Sequence, residues 1–92
     1  MIKTFNCDET NKIFCGMLSK KFANIAHIAK RKLDMLHYAS KEQDLFAPPA
    51  NRFEHLKGNL KGYCSIRIND QFRIVFRFED GNAYEIKIVD YH

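Results

Sequence analysis

Three groups of side chains in this sequence could move a proton or hold a phosphate. The sequence closes on Asp90-Tyr91-His92, an acid, a phenol and an imidazole in a row. His55 and Lys57 share the segment His55-Leu56-Lys57-Gly58. Tyr63, Ser65, Arg67, Arg73 and Arg77 fall in a stretch where apolar and polar residues alternate. Histidine titrates near neutrality and can accept or donate a proton. Arginine offers a planar fork of donors that matches a phosphate. These types suit RNA cleavage, where a base takes the 2′-OH proton, an acid protonates the leaving 5′ oxygen, and a cation stabilises the phosphorane. His, Asp or Tyr can do the first two tasks and Arg the third. RNA supplies its own nucleophile, so the scheme calls for no metal and no cofactor.

Each group also has a plainer explanation. A solvated sheet face often carries arginine, a lone loop histidine is often idle, and three polar residues can simply trail a strand. Parity is a further complication. Asp90 and His92 continue the face of Ile86 and Ile88, whereas Tyr91 continues the face of Glu85 and Lys87. Only strand twist or a bend reunites them.

The elements that must position these residues are legible from periodicity. Ile2 to Phe5 reads as a short strand. Asp8 is a candidate N-cap for a first helix that carries Ile13, Phe14, Met17 and Leu18 and closes near Lys20-Lys21. A second helix presents Ile25, Ile28, Ala29, Leu33 and Leu36 on one face, with Asn24 or Ser19 as its cap. Lys30-Arg31-Lys32 and Lys20-Lys21 are basic clusters suited to a solvated face or to a large RNA. Asp44-Leu45-Phe46 forms a single turn, and Pro48-Pro49 favours extended backbone. From Lys61 the period becomes two. Cys64, Ile66 and Ile68 face one way, and Tyr63, Ser65 and Arg67 the other. Asn69-Asp70 and Asp80-Gly81 are turns, and Tyr84, Ile86 and Ile88 form the last apolar face. The expected fold class is α+β. Two N-terminal helices pack on a small antiparallel sheet, a short N-terminal strand plus a three-stranded meander.

Composition sets the outer bounds. The 92 residues predict one domain spanning residues 1–92, and 46% hydrophobic content predicts a packed core. The net charge of +4 favours an anionic partner. Cys7, Cys15 and Cys64 form no CxxC pair, so neither a zinc site nor a disulfide framework is expected; they read as small buried apolar residues in a reducing cytoplasm. His27 and His37 do not stand at a ligand spacing either. Neither a signal peptide nor a membrane span is expected.

In order along the chain, these segments resemble the HigB toxins, a branch of the RelE-like toxin superfamily. The likeness starts at Met1-Ile2-Lys3-Thr4-Phe5 and is strongest from His55-Leu56-Lys57-Gly58 through Gly62-Tyr63, Ile66-Arg67, Phe72-Arg73-Ile74 and Phe76-Arg77-Phe78. It continues in Gly81-Asn82-Ala83-Tyr84 and ends on Val89-Asp90-Tyr91-His92. The helices and Phe46-Ala47-Pro48-Pro49 depart from the family pattern. The resemblance implies an endoribonuclease that cuts mRNA in the ribosomal A site and so inhibits translation. It implies a sheet with a basic concave surface. The implied partners are the ribosome, mRNA and a HigA-like helix-turn-helix antitoxin, with operon DNA reached only through the antitoxin. It assigns catalysis to His55, Asp90, Tyr91, His92 and Arg73, with Arg73 on the scissile phosphate. Lys57 and Arg67 are supporting contacts, and Tyr63 and Arg77 complete the expected RNA surface. Two other functions fit the same fold: a ParE-like toxin that inhibits DNA gyrase, and a non-catalytic RNA-binding module. A gyrase inhibitor has no use for the proton-transfer residues.

Overall fold

The alternating stretch folds into the sheet that the sequence calls for. The computed structural model describes residues 1–90. Four strands pair antiparallel in chain order: β1 (Glu54–His55), β2 (Cys64–Arg67), β3 (Phe72–Glu79) and β4 (Asn82–Asp90). The β2–β3 turn closes on the Asn69 side-chain oxygen, which accepts from the backbone N–H groups of Gln71 at 2.9 Å and Phe72 at 2.8 Å. The β3–β4 turn is Asp80-Gly81, with φ of 50° and 78°, the left-handed pair that a two-residue hairpin needs.

Register lines up the apolar face. Ile66 stands opposite Ile74, and Ile74 opposite Ile88. Helices α1 (Asp8–Phe14) and α2 (Ala26–Tyr38) cover this face. Ala29, Leu33 and Leu36 of α2 are fully buried, as are Ile66, Ile74, Phe76 and Ile86 of the sheet. Each such large side chain contributes about 1.5–3 kcal/mol through burial. The segment Ile2 to Phe5 joins the sheet through parallel bridges, Ile2 to Ala83 and Phe5 to Ile86. Among the described residues no helix is long and apolar enough to cross a membrane.

Several expectations are corrected. The meander gains a fourth strand, β1, whose two residues are too few for alternation to show. Helix α1 begins with Asp8 inside it and Cys7 at the cap, and it stops at Phe14. Gly16 at φ 79° follows, so Met17 and Leu18 never reach the apolar face and are 60% and 95% exposed. Lys20-Lys21 therefore does not close this helix. Neither Asn24 nor Ser19 caps α2, which starts after Ile25 without a side-chain cap. The buried stripe of α2 is Ala29, Lys32, Leu33 and Leu36. Lys32 thus leaves the basic surface cluster; its ammonium donates to the buried Asn51 side-chain oxygen. Cys15 is exposed and only Cys64 is buried, so the cysteines are not uniformly core residues.

The apolar face of β4 is also interrupted. The register shifts between Val75 and Arg77, so that Val75 opposes Lys87 but Arg77 opposes Tyr84. Glu85 absorbs the extra residue at φ 55°. The bulge places Tyr84 on the Arg77 side and hands its core position to Ala83, the partner of Phe78. A non-glycine residue in the left-handed region costs roughly 1–2 kcal/mol, and the Glu85 side chain is what the strain positions.

Candidate functional site

Register decides which polar residues share a surface. Arg67 and Arg73 are direct partners across β2 and β3, and Val89 flanks Arg73 on the other side. On this outer face Arg73 is not a solvated cation, since its side chain is 7% exposed. Its Nε donates to the buried Ser65 hydroxyl at 2.8 Å, and an Nη donates to the Arg52 carbonyl at 2.5 Å. The Glu54 carboxylate lies 4.0 Å away. Above this guanidinium opens a cleft of about 250 Å³ lined by Arg52, Glu54, Arg67, Asn69, Asp70 and Arg73. Arg67 is ion-paired to Asp70 at the rim. A guanidinium fixed in advance at the floor of a basic cleft suits charge that develops on a bound phosphate.

Arg77 is held differently. Its two terminal nitrogens donate to Glu85 at 2.6 Å and Glu79 at 3.0 Å. Tyr63 donates its hydroxyl to the same Glu85 at 3.0 Å. Arg77 is therefore neutralised by two carboxylates. The hydrogen bond from Arg77, then that from Tyr63, holds the Glu85 carboxyl below its ordinary range, while the bond to Glu85 raises the Tyr63 phenol. A group depressed on folding stabilises the fold above its unfolded pKa, and that contribution disappears as pH falls through the folded value. Glu85→Gln is accordingly expected to be less stable than the parent at about pH 7, with the gap narrowing at a pH below the ordinary glutamate range. Urea unfolding at both pH values checks this, and a gap that is independent of pH rejects it.

His55 faces the other way. It pairs with Cys64, whereas its neighbour Glu54 pairs with Ser65, so the two side chains of β1 leave opposite faces of the sheet edge. His55 Nε2 meets Glu42 at 2.9 Å, and Nδ1 lies 3.5 Å from Cys64 Sγ. Its ring packs edge-on to Phe53 at 5.2 Å between centroids. Two further clefts adjoin it. One, of about 320 Å³, is lined by Phe46, Pro49, Arg52, Phe53 and His55. The other, of about 360 Å³, is lined by Glu54, His55, Leu56, Lys57 and Leu60. Arg52, Glu54 and His55 each belong to two of the three clefts, so β1 is a narrow ridge between Arg73 and His55.

The sequence-derived residues are thus only partly gathered. Arg67 and Arg73 meet in one cleft, and His55 and Lys57 in another. Tyr63 and Arg77 form their own network with Glu85. Asp90 is exposed and stands opposite Phe72, on the side of Ile88, and its carboxylate accepts from Gln71 at 3.1 Å. Parity along β4 therefore separates Asp90 from the Arg73 face, as alternation alone implies. Tyr91 and His92 lie outside the described residues. Sequence reasoning missed Arg52 and Glu54, which wall the Arg73 cleft, and Glu42. No local periodicity marks these three residues, because β1 is only two residues long and Glu42 lies in the irregular segment before it. Glu42, His55 and Cys64 bring ligand atoms within 4.8 Å of one another, a grouping that the spacing of cysteines and histidines in the sequence does not signal.

Comparison with known proteins adds to this geometry. A family model described as the RelE-like toxin of type II toxin-antitoxin system HigB matches residues 4–92. Toxin HigB-1 of Vibrio cholerae serotype O1 is 54% identical over 61 residues, 66% of this chain and 64% of that protein. Endoribonuclease HigB of Proteus vulgaris is 46% identical over 37 residues, 40% of each chain. The matched stretches therefore span less than two thirds of these curated relatives. Among solved structures, the heterotetrameric YoeB-YefM toxin-antitoxin complex of Staphylococcus aureus holds a similar chain. It superposes with a TM-score of 0.63 at 26% identity, covering 100% of this chain and 95% of that one.

Proposed function

This chain belongs to the RelE-like HigB toxins of type II toxin-antitoxin systems, and from that premise we propose that it is an endoribonuclease that cuts mRNA in the ribosomal A site. The observation that carries the reading is Arg73, fixed by Ser65 and the Arg52 carbonyl at the floor of a cleft that also holds Arg52 and Arg67. A single strand crossing the β1 ridge meets Arg73 on one side and His55 on the other. Arg73 stabilises the phosphorane as the 2′ oxygen attacks phosphorus and the bond to the 5′ oxygen breaks. Of the two candidate bases, His92 and Asp90, the second stands on the face away from Arg73, so His92 takes the 2′-OH proton; His55 protonates the departing 5′ oxygen, while Tyr91 orients or stacks on a base. Lys57 and Arg67 hold flanking phosphates. No metal takes part.

The proposed partners are mRNA, the ribosome and a HigA-like helix-turn-helix antitoxin, through which alone operon DNA is contacted. The proposed location is the cytoplasm. The proposed extent is one toxin domain over residues 1–92. The similarity to a chain crystallised in a toxin-antitoxin complex supports the antitoxin. The net charge of +4 supports an RNA-rich target.

A translating extract tests the reading. The parent protein is expected to produce mRNA fragments with ends in the A-site codon, and His92→Ala to abolish them. Unchanged cleavage by His92→Ala sinks the assignment of that residue. Loss of DNA supercoiling activity with intact mRNA favours the gyrase-inhibitor reading instead.

A further inference from the structure

Glu42, His55 and Cys64 come from three separate parts of the chain and converge at the β1 edge. Cys64 is the cross-strand partner of His55, and its sulfur lies 3.5 Å from Nδ1. Glu42 opens the 3₁₀ turn Glu42–Leu45 and reaches Nε2 at 2.9 Å. Thiol, imidazole and carboxylate in this order outline a cysteine-nucleophile triad. Burial excludes that role. Cys64 is only 4% exposed, and burial, with Glu42 nearby, pushes its thiol up to about 11. A nucleophilic cysteine needs the opposite shift and open access.

The same groups fit a metal ion. A tetrahedral zinc with sulfur at about 2.3 Å and nitrogen at about 2.0 Å sets those two ligands about 3.5 Å apart. The distance from Cys64 to His55 is already that edge. The Glu42 side chain is 40% exposed, and the three ligand atoms lie within 4.8 Å of one another. The carboxylate must leave Nε2 to become the third ligand, with water as the fourth.

We propose that Glu42, His55 and Cys64 form a binding site for a thiophilic divalent cation of the zinc class, and that its occupation switches the toxin off. The switch rests on the reading of His55 as a proton donor; the site does not. The cation takes the Nδ1 lone pair, draws Glu42 away from Nε2 and immobilises the ring. As the sulfur–metal bond forms, the thiol proton passes to solvent, so affinity rises with pH. The thiol also ties the ion to a buried strand, which keeps His55 from turning back toward a bound nucleotide.

The test uses full-length protein with Cys15→Ser, which removes the exposed thiol, and Co²⁺ as the probe. A sulfur-to-cobalt charge-transfer band is expected at one equivalent. It should vanish in Cys64→Ser and require about tenfold or more Co²⁺ in Glu42→Gln. Zn²⁺ is expected to inhibit mRNA cleavage, and Cys64→Ser to shift half-inhibition by at least the same factor while basal cleavage persists. Circular dichroism establishes that the variants fold; should Cys64→Ser not, the Glu42→Gln shift decides. No cobalt band, or a band unaffected by either substitution, overturns the site. Zinc inhibition that is equal with and without Cys64 overturns the switch. A band in a protein that cleaves no mRNA keeps the site and overturns the ribonuclease reading, so the two failures are distinct.

Discussion

Arg73→Ala is expected to lower mRNA cleavage about 100- to 1000-fold, the loss typical of removing one preorganised donor to developing negative charge. The magnitude follows from how the guanidinium is held. Nε is taken by the Ser65 hydroxyl and an Nη by the Arg52 carbonyl, so the plane of the fork is set before substrate arrives. Little reorganisation is then needed in the transition state. Arg73→Lys keeps the charge but cannot span both acceptors, and it is expected to recover less than a tenth of the activity. Removing the side chain also leaves a buried hydroxyl and a carbonyl without this donor, at about 1–3 kcal/mol. Single-turnover cleavage on programmed ribosomes, compared with urea unfolding of the same variants, separates the two effects. A folded Arg73→Ala protein that cuts at the parental rate sinks the assignment.

What the sequence reveals and what it hides follow from the range of the interactions. The β2–β3–β4 hairpins announce themselves because alternation and turn residues are local: Ile66, Ile74 and Ile88 read as one face and stack as one. Helix α2 shows in the same way through Ala29, Leu33 and Leu36. The bulge at Glu85 does not show, because a glutamate at φ 55° carries no local signature. That single residue reverses the face of Tyr84. Strand β1 is silent for a different reason: its two residues are strand only because Cys64 and Ser65 pair with them.

The site divides along the same line. Arg67, Arg73, His55 and Lys57 stand out as candidates from residue type and family resemblance. Their environments do not. An arginine that looks solvent-facing by parity is buried, because the chain returns at Arg52 and Glu54 to roof it. Glu42 meets His55 only through the course of the 41–53 segment, where the family pattern is weakest and no periodicity exists. Electrostatic pairing was equally hidden: nothing in the sequence pattern shows that Glu79 and Glu85 both bond to Arg77.

That connecting segment depends on Asn51, and Asn51→Ala is expected to cause a large loss of stability. Asn51 is fully buried at the end of the 3₁₀ turn Pro49–Asn51. Its amide nitrogen donates to the carbonyls of Leu45 and Ala47, each at 3.2 Å, and its oxygen accepts from the Lys32 ammonium. Alanine removes all of these at once and strands a buried cation. The expected cost is about 3 kcal/mol, a fall of roughly 12–24 °C in melting temperature for a domain of this size. Lys32→Met on the same background removes the stranded charge, so the double variant should regain at least about 1 kcal/mol. The pH dependence carries the same signature. Burial lowers the Lys32 pKa below 10.5. The unfolded chain therefore binds the proton more tightly, and parental stability rises as pH climbs through that window. Lys32→Met should lose this rise. The effect also reaches the chemistry, because Arg52 follows Asn51 and its carbonyl is an anchor for Arg73. Cleavage by Asn51→Ala should thus fall further than its unfolded fraction explains at 25 °C. A variant that melts with the parent shows that the segment is held elsewhere. One that melts early yet cleaves normally below its transition shows that the Arg52 anchor is dispensable for the chemistry.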